Sequence, residues 1–242
     1  SGVNSINWAR IIAQSVYYFY AYFKVGNDQP LSFSVPTGNF GDIYAGYLAK
    51  KLGLPIDKLI VATNKNDILH RAISGGDYSQ KKVEETNTPS MDIQIASNFE
   101  RLLYDVKGCD SDATKNVMGE IKNNTYKIDN NDLDKIKKNF ISEMLDERET
   151  VEMIKTINNK HQMVVDPHTA VGIGAVRKLG LEKNCVVLST AHPCKFPNAI
   201  QDAISKTENL PESLKYVNDR KEKFELLSND IEKVKKYVMN SI

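Results

Sequence analysis

The sequence predicts an α/β fold: a parallel sheet flanked by helices. Three observations carry that reading. Two short apolar runs, 31–36 and 58–64, are each followed by an amphipathic stretch. Strand, helix, strand, helix at this rhythm is what parallel sheets require, because parallel neighbours need a long crossover. The pattern returns late in the chain, in "HQMVVDPHTAVGIGAVRKLG" and "CVVLSTAHPCKFPNAIQDAI".

Each element has a local reason. Residues 5–23 place Trp8, Ile12, Val16, Phe19 and Phe23 at spacings of three and four, one helix face expected to be buried, with Ser5 as a possible cap. Asn27 to Pro30 reads as a turn. Residues 31–36 read as a buried strand and 41–52 as a helix closed by Gly53. "KLIVATN" (58–64) is a second buried strand, and 67–76 a helix ending in glycines. Residues 77–90 show no period and read as an ordered loop or lid, and 98–108 as a helix. From 109 to 160 Asn, Asp, Lys and Glu dominate, with Leu133, Ile136, Phe140, Ile141 and Met144, then Val151, Ile154 and Ile157, on a helical period. That reads as a helical insertion. It divides the chain into a first α/β part (1–108), the insertion (109–160) and a second α/β part with a C-terminal helix (161–242). The last helix, in "SNDIEKVKKYVM", sets Ile231, Val234 and Val238 on one face.

Composition excludes several classes. The 242 residues carry a formal net charge of +1, so no electrostatic case exists for nucleic acid or an anionic membrane. No apolar run approaches the ~20 residues of a membrane span. Cys109, Cys185 and Cys194 are few and scattered, which disfavours a disulfide framework and makes a reducing cytoplasm the default. The four histidines form no HExxH, the cysteines no CxxC, and GxSxG is absent, so no metal or serine-nucleophile signature is present. Ser1 is not a methionine, and the expectation is that an upstream segment is missing, with Ser1-Gly2 as a cloning scar the other reading.

The informative stretch is "LSFSVPTGNFGDIYAGYLAKKLGLP", 31–55. A strand delivers Thr37, Gly38, Asn39, Phe40 and Gly41 into a helix start. The first N–H groups of a helix lack internal partners and carry the positive end of its dipole, so such a turn suits an anion. Thr37 and Asn39 can add donors. The spacing matches neither GxGxxG nor GxxxxGK[ST], and a βα turn that binds nothing remains open. Polar strand-end turns recur at Ser189-Thr190 and at Asp166, His168 and Thr169, and Asn4, Ser5 and Asn7 open the first helix. In parallel sheets ligands gather beyond the strands' C-terminal ends, so these turns suit one cleft, though each also suits helix capping.

Taken together, "SGVNSINWARIIAQSVYYF", "SVPTGNFGDIYAGYLAKKLGLP", "ATNKNDIL", "SMDIQIASNFERLL", "VDPHTAVG" and "LSTAHPCKFP" resemble the threonine synthases of the longer bacterial and fungal branch. The likeness runs from residue 2 nearly to the end and is weakest in 109–160; its fit at Gly2-Val3-Asn4 implies that those residues are native. It implies a pyridoxal phosphate enzyme of fold type II, built like the large domain of tryptophan synthase β, making threonine and phosphate from O-phosphohomoserine and water. By similarity Gly38, Asn39, Phe40 and Gly41 grip the cofactor's phosphate, and Thr190 faces its pyridine nitrogen. Asn4, Ser5 and Asn7 contact substrate or cofactor. Asp166, His168 and Thr169 lie in a family motif without separable roles.

One departure is large. The family's Schiff-base lysine sits in a phenylalanine-lysine-aspartate motif upstream of "NSIN", and this chain has no such motif. The resemblance therefore implies the C-terminal portion of the enzyme, inactive alone, with the missing N-terminal portion as its partner and no catalytic lysine within these residues. Two other readings stand beside it: another fold type II phospho-lyase, and a non-catalytic phosphate-binding module. An isolated piece would expose surfaces normally covered and self-associate.

Overall fold

The computed structural model describes residues 4–26, 29–217 and 219–241. Gly2, Val3 and half of the turn expected at 27–30 lie outside them. The chain forms two compact units, Ser1–Glu208 and Asn209–Ile242.

The first unit is built on a four-stranded sheet. Helix α1 (Trp8–Val25) leads to β1 (Leu31–Pro36), α2 (Gly41–Lys51), β2 (Ile56–Thr63) and α3 (Ile68–Gly75). After a loop come α4 (Phe99–Val106), α5 (Ser111–Lys122) and α6 (Asn130–Asn139). Then follow β3 (Phe140–Met144), α7 (Glu147–His161), α8 (Pro167–Leu179), β4 (Cys185–Val187) and α9 (Pro197–Ile204). The strands lie in the order β3-β2-β1-β4, every pairing parallel. The chain thus steps outward from β1 through β2 to β3, then returns across to place β4 on β1's other side. Between β1 and β4 the winding reverses.

Both faces of the sheet are covered, so the strands read as continuous apolar runs rather than alternating ones. Phe33, Val35, Leu59 and Val61 join one core with residues of α1 to α6. Ile60 and Ala62 point the other way, to Val171, Ala175 and Val176 of α8. Helix α8 lies close to the sheet because a Cβ on Gly172 would sit 2.9 Å from Val187. The Ser34 hydroxyl bonds the Gly172 carbonyl at 2.8 Å.

Three sequence expectations need correction. The face of α1 expected inside is mostly outside: Ile12, Val16 and Phe23 are 46%, 60% and 72% exposed, while Ile11, Ser15, Tyr18 and Tyr22 are buried. Periodicity alone could not choose, because α1 is apolar on both sides. Its cap is Asn7, whose side chain accepts the Ala9 N–H, and not Ser5. Residues 140–144, placed on a helical period, form β3 and pair in register with 59–63 of β2. Pairing partners some 80 residues away decide that strand, which no local window contains.

In the second unit α10 (Ile231–Asn240) is capped by Asp230, as its sequence implies. It buries none of its residues, and Ile231 and Val238 of the expected stripe are exposed. Among the described residues no helix is long and apolar enough to cross a membrane.

Candidate active site

The reversal between β1 and β4 opens a crevice at their C-terminal ends, the place where parallel sheets bind ligands. A cleft of about 500 Å³ occupies it, lined by Pro36 to Ile43, by Leu188, Ser189 and Thr190, by Ser90, and by Ser5, Arg10, Gln14 and Tyr17. Of the residues singled out in the sequence, Gly38, Asn39, Phe40, Gly41, Thr190 and Ser5 therefore share one cavity. Asn4 and Asn7 are not in its wall: the Asn4 side chain accepts the Ile6 N–H, and Asn7 caps α1.

The turn after β1 is held from several sides. Phe40 takes a left-handed backbone, φ 64°, at the N-cap of α2. Its ring is buried between Phe99 and Phe140, with centroids 5.2 and 5.6 Å away. Anything Phe40 offers the cleft comes from its main chain. A Cβ on Gly38 would sit 2.0 Å from the Ser90 carbonyl oxygen, so this glycine is required by packing before any ligand arrives. Asn98 is the clamp that the sequence did not reveal. Its amide donates to the carbonyls of Ser5 (2.7 Å) and Asn39 (3.0 Å) and ties the start of the chain to the turn. Arg101 holds Asn98 in turn and reaches the Ile6 carbonyl at 3.1 Å.

Residues 77–90 are an ordered loop. The Asn64 amide bonds Thr86, Thr88 and Asp92, and the Asn66 amide bonds Asp92 at 3.0 Å. This network fixes the segment that presents the Ser90 carbonyl to Gly38.

No side chain caps α2. Among the described residues, none of the main-chain N–H groups from Gly38 to Ile43 donates to a protein acceptor. Unpartnered N–H groups at a helix start make an anion cradle. Thr37 adds no donor, because its hydroxyl already donates to the Val35 carbonyl at 2.6 Å. Asn39 keeps its side chain available. Arg10, Gln14 and Tyr17 were not singled out in the sequence, yet they fall at i, i+4 and i+7 on α1, a polar edge on an apolar helix. Asp42, in the first turn of α2, accepts the Tyr18 hydroxyl at 3.2 Å. Burial raises the Asp42 carboxyl to about 6, against the opposing pull of that hydroxyl and of the Arg10 charge.

The opposite wall is the 188–190 turn. Asp166 caps α8 through the N–H groups of His168 and Thr169 and also accepts the Thr169 hydroxyl. That hydroxyl oxygen accepts the Thr190 N–H at 3.4 Å. His168 Nδ1 lies 3.2 Å from Asp166, and its ring meets Phe196 with centroids 4.8 Å apart. The motif around Asp166 thus braces Thr190 from behind and does not line the cleft. Among the described residues the lining holds an arginine but no lysine.

Comparisons with known proteins agree with this geometry. The model of the family "Threonine synthase, C-terminal" matches residues 169–238. The chain is 43% identical over 241 residues to threonine synthase from Pseudomonas aeruginosa, covering 98% of this chain and 51% of that protein. It is 44% identical over 265 residues to threonine synthase from Saccharomyces cerevisiae, covering 96% of this chain and 51% of that one. The crystal structure of pyridoxal phosphate-bound threonine synthase from Brucella melitensis superposes with a TM-score of 0.90 at 45% identity, over 99% of this chain and 52% of that one. The chain spans about half the length of the curated relatives it matches.

Proposed function

We propose that this chain, whose residues 169–238 match the C-terminal model of the threonine synthase family and which is 43% identical to a threonine synthase over 51% of that protein, supplies half of an active site converting O-phosphohomoserine and water to threonine and phosphate. The observation that carries this reading is the shared cleft. It puts the unpartnered N–H groups of 38–43 against the Thr190 turn, with Arg10 beside them.

The site fits pyridoxal phosphate. The cofactor's phosphate suits the cradle of Gly38, Asn39, Phe40 and Gly41, where main-chain N–H groups and the α2 dipole favour a dianion. Thr190 would face the cofactor's pyridine nitrogen with a hydroxyl and not a carboxylate, a partner that would not stabilise a charged ring nitrogen. When bound, the cofactor withdraws electrons from the substrate carbons whose protons must leave. This chain's residues bind and orient. Asn39 and the turn hold the anion; Asn98 keeps Ser5 against that turn; Asp166 and Thr169 hold the Thr190 main chain in place. Arg10 brings a fixed positive charge beyond the one anion the cradle holds, which suits a substrate carrying its own phosphate. Ser5 is the residue of the "NSIN" segment placed to touch substrate or cofactor. The Schiff-base lysine and its proton transfers belong to an N-terminal portion.

Borohydride trapping tests the reading. The chain is incubated with pyridoxal phosphate and reduced, and the adduct is mapped by peptide mass spectrometry. The expected result is scattered weak labelling here and one stoichiometric lysine in a longer form carrying the upstream portion. One stoichiometric adduct within these 242 residues would overturn the division of the site.

A further inference from the structure

Helices α7 and α8 enclose a second cavity, of about 480 Å³, that shares no lining residue with the cleft. Glu149, Glu152 and Met153 face it from one side of α7, and Gly174, Arg177 and Lys178 from one side of α8. Leu145 forms its apolar floor and is buried. A Cβ on Gly174 would sit 2.2 Å from the Leu145 side chain, so a glycine lets α8 approach Leu145 and leaves the helix surface bare there. Two of the charges around the cavity are engaged within the protein. Lys178 donates to the Met144 carbonyl at 2.9 Å and to Glu149 at 3.2 Å, and Glu149 also accepts the Asp146 N–H. Three others are not: among the described residues Arg148, Arg177 and Glu152 form no ion pair. Arg177 is half-buried, and its guanidinium donates to the Met153 sulfur at 3.3 Å, a weak acceptor. A guanidinium is a planar fork matched to a carboxylate, and drawing it partly out of water without one leaves that fork unmet.

The geometry points to a second binding site between α7 and α8, for an α-amino acid with a bulky apolar side chain. The ligand's carboxylate sits on the Arg177 fork with Arg148 beside it, its ammonium on Glu152, and its side chain against Leu145 and Met153. Each part answers a group the protein leaves unmet. The carboxylate gives the two guanidiniums their anion in charge-assisted hydrogen bonds. The ammonium gives Glu152 its cation. Leu145 and Met153 supply an apolar surface that an inorganic anion would not use, and Met153 can adapt its shape to an aromatic ring. A few convergent polar groups over an apolar floor, in a volume of this size, are the usual build of a small-molecule site. The inference does not depend on the threonine synthase reading. The cavity borders the C-terminal half of α8, whereas Asp166, at the other end of that helix, braces the Thr190 turn. The two ends lie roughly 16 Å apart along the axis. A ligand here is therefore held apart from whatever the cleft holds.

Calorimetric titration of the chain with L-phenylalanine tests the site. Saturable binding is expected, with slowed hydrogen exchange in the peptides covering α7 and α8. Phenylalaninamide, which lacks the carboxylate, should bind about tenfold more weakly or worse, and hydrocinnamate, which lacks the ammonium, about threefold more weakly. Arg177→Met should weaken L-phenylalanine about tenfold or more, and Glu152→Gln about threefold. Arg177→Lys keeps the charge but not the fork. Its expected loss of about threefold or more decides the question if Arg177→Met does not fold. No saturable heat up to about 10 mM overturns the site. Unchanged affinity in the Arg177 variants does the same. Equal binding of either analogue also overturns the proposal, because the ligand is then not read as a zwitterion. Exchange protection at 38–43 with none on α7 and α8 overturns it as well, since the amino acid then sits in the cleft.

Discussion

The two walls of the cleft are built differently. The 38–41 wall has an aromatic anchor in the core, a glycine closed against Ser90, and an amide clamp from Asn98. On the 188–190 wall Ser189 and Thr190 are exposed, and the turn is linked to α8 by one long bond from the Thr190 N–H. The contrast assigns different tasks. On the proposed reading the first wall is an anion grip whose shape is set before a ligand binds. The second is a lightly held turn of polar groups, tied to Asp166 through Thr169.

That contrast can be broken at its strongest point first. Phe40→Ala empties a fully buried aromatic site and is expected to cost about 3–5 kcal/mol in denaturant unfolding, with phosphate binding lost alongside. Loss of binding at unchanged stability would show that the ring is not the anchor. Asp42→Asn comes next and acts through pH. The folded carboxyl is raised from 3.8 to about 6. The folded state therefore binds more protons than the unfolded state in that window, and stability falls as pH rises through it. Asp42→Asn is expected to remove this fall and gain about 2–3 kcal/mol at most near pH 7, after allowance for solvent screening. Parallel stability–pH curves for the two proteins would refute it.

Gly38→Ala separates grip from fold. Its methyl meets a backbone oxygen that cannot swing aside, so about 1–3 kcal/mol of strain is expected. Inorganic phosphate titrated by calorimetry should then bind more weakly, while the Thr190 amide exchanges as before. Thr169→Val is the mirror experiment and the mildest. It removes the hydroxyl between Asp166 and the Thr190 N–H for about 1 kcal/mol. Faster hydrogen exchange at Thr190 with unchanged phosphate affinity is expected. If phosphate affinity fell with it, the two walls would be one unit.

The same division governs what could be read from the sequence. Strand β1 and the turn into α2 were legible because their signals are local: an apolar run, a proline, then glycines before an amphipathic stretch. Residues 140–144 were not, because five residues trailing a helical period become a strand only when β2 pairs with them. The apolar spacing of α1 named a helix correctly and its inner face wrongly, since both faces are apolar and burial depends on what covers each. The cradle was visible as a motif. Arg10 and Asn98 were not, because their parts in the cleft come from contacts across the fold: Asn98 reaches a carbonyl 93 residues away.

That separation also has a kinetic meaning. The Asn98 amide joins segments 59 and 93 residues apart in the chain, so the grip cannot assemble while only neighbouring pieces have folded. Contacts of such long range close late, because loop entropy is lost before they form. Phosphate capture by a refolding sample should therefore lag behind its helical signal. The lag would time the moment at which the start of the chain and the β1–α2 turn meet the segment before α4, which makes the anion a stopwatch for that long-range closure.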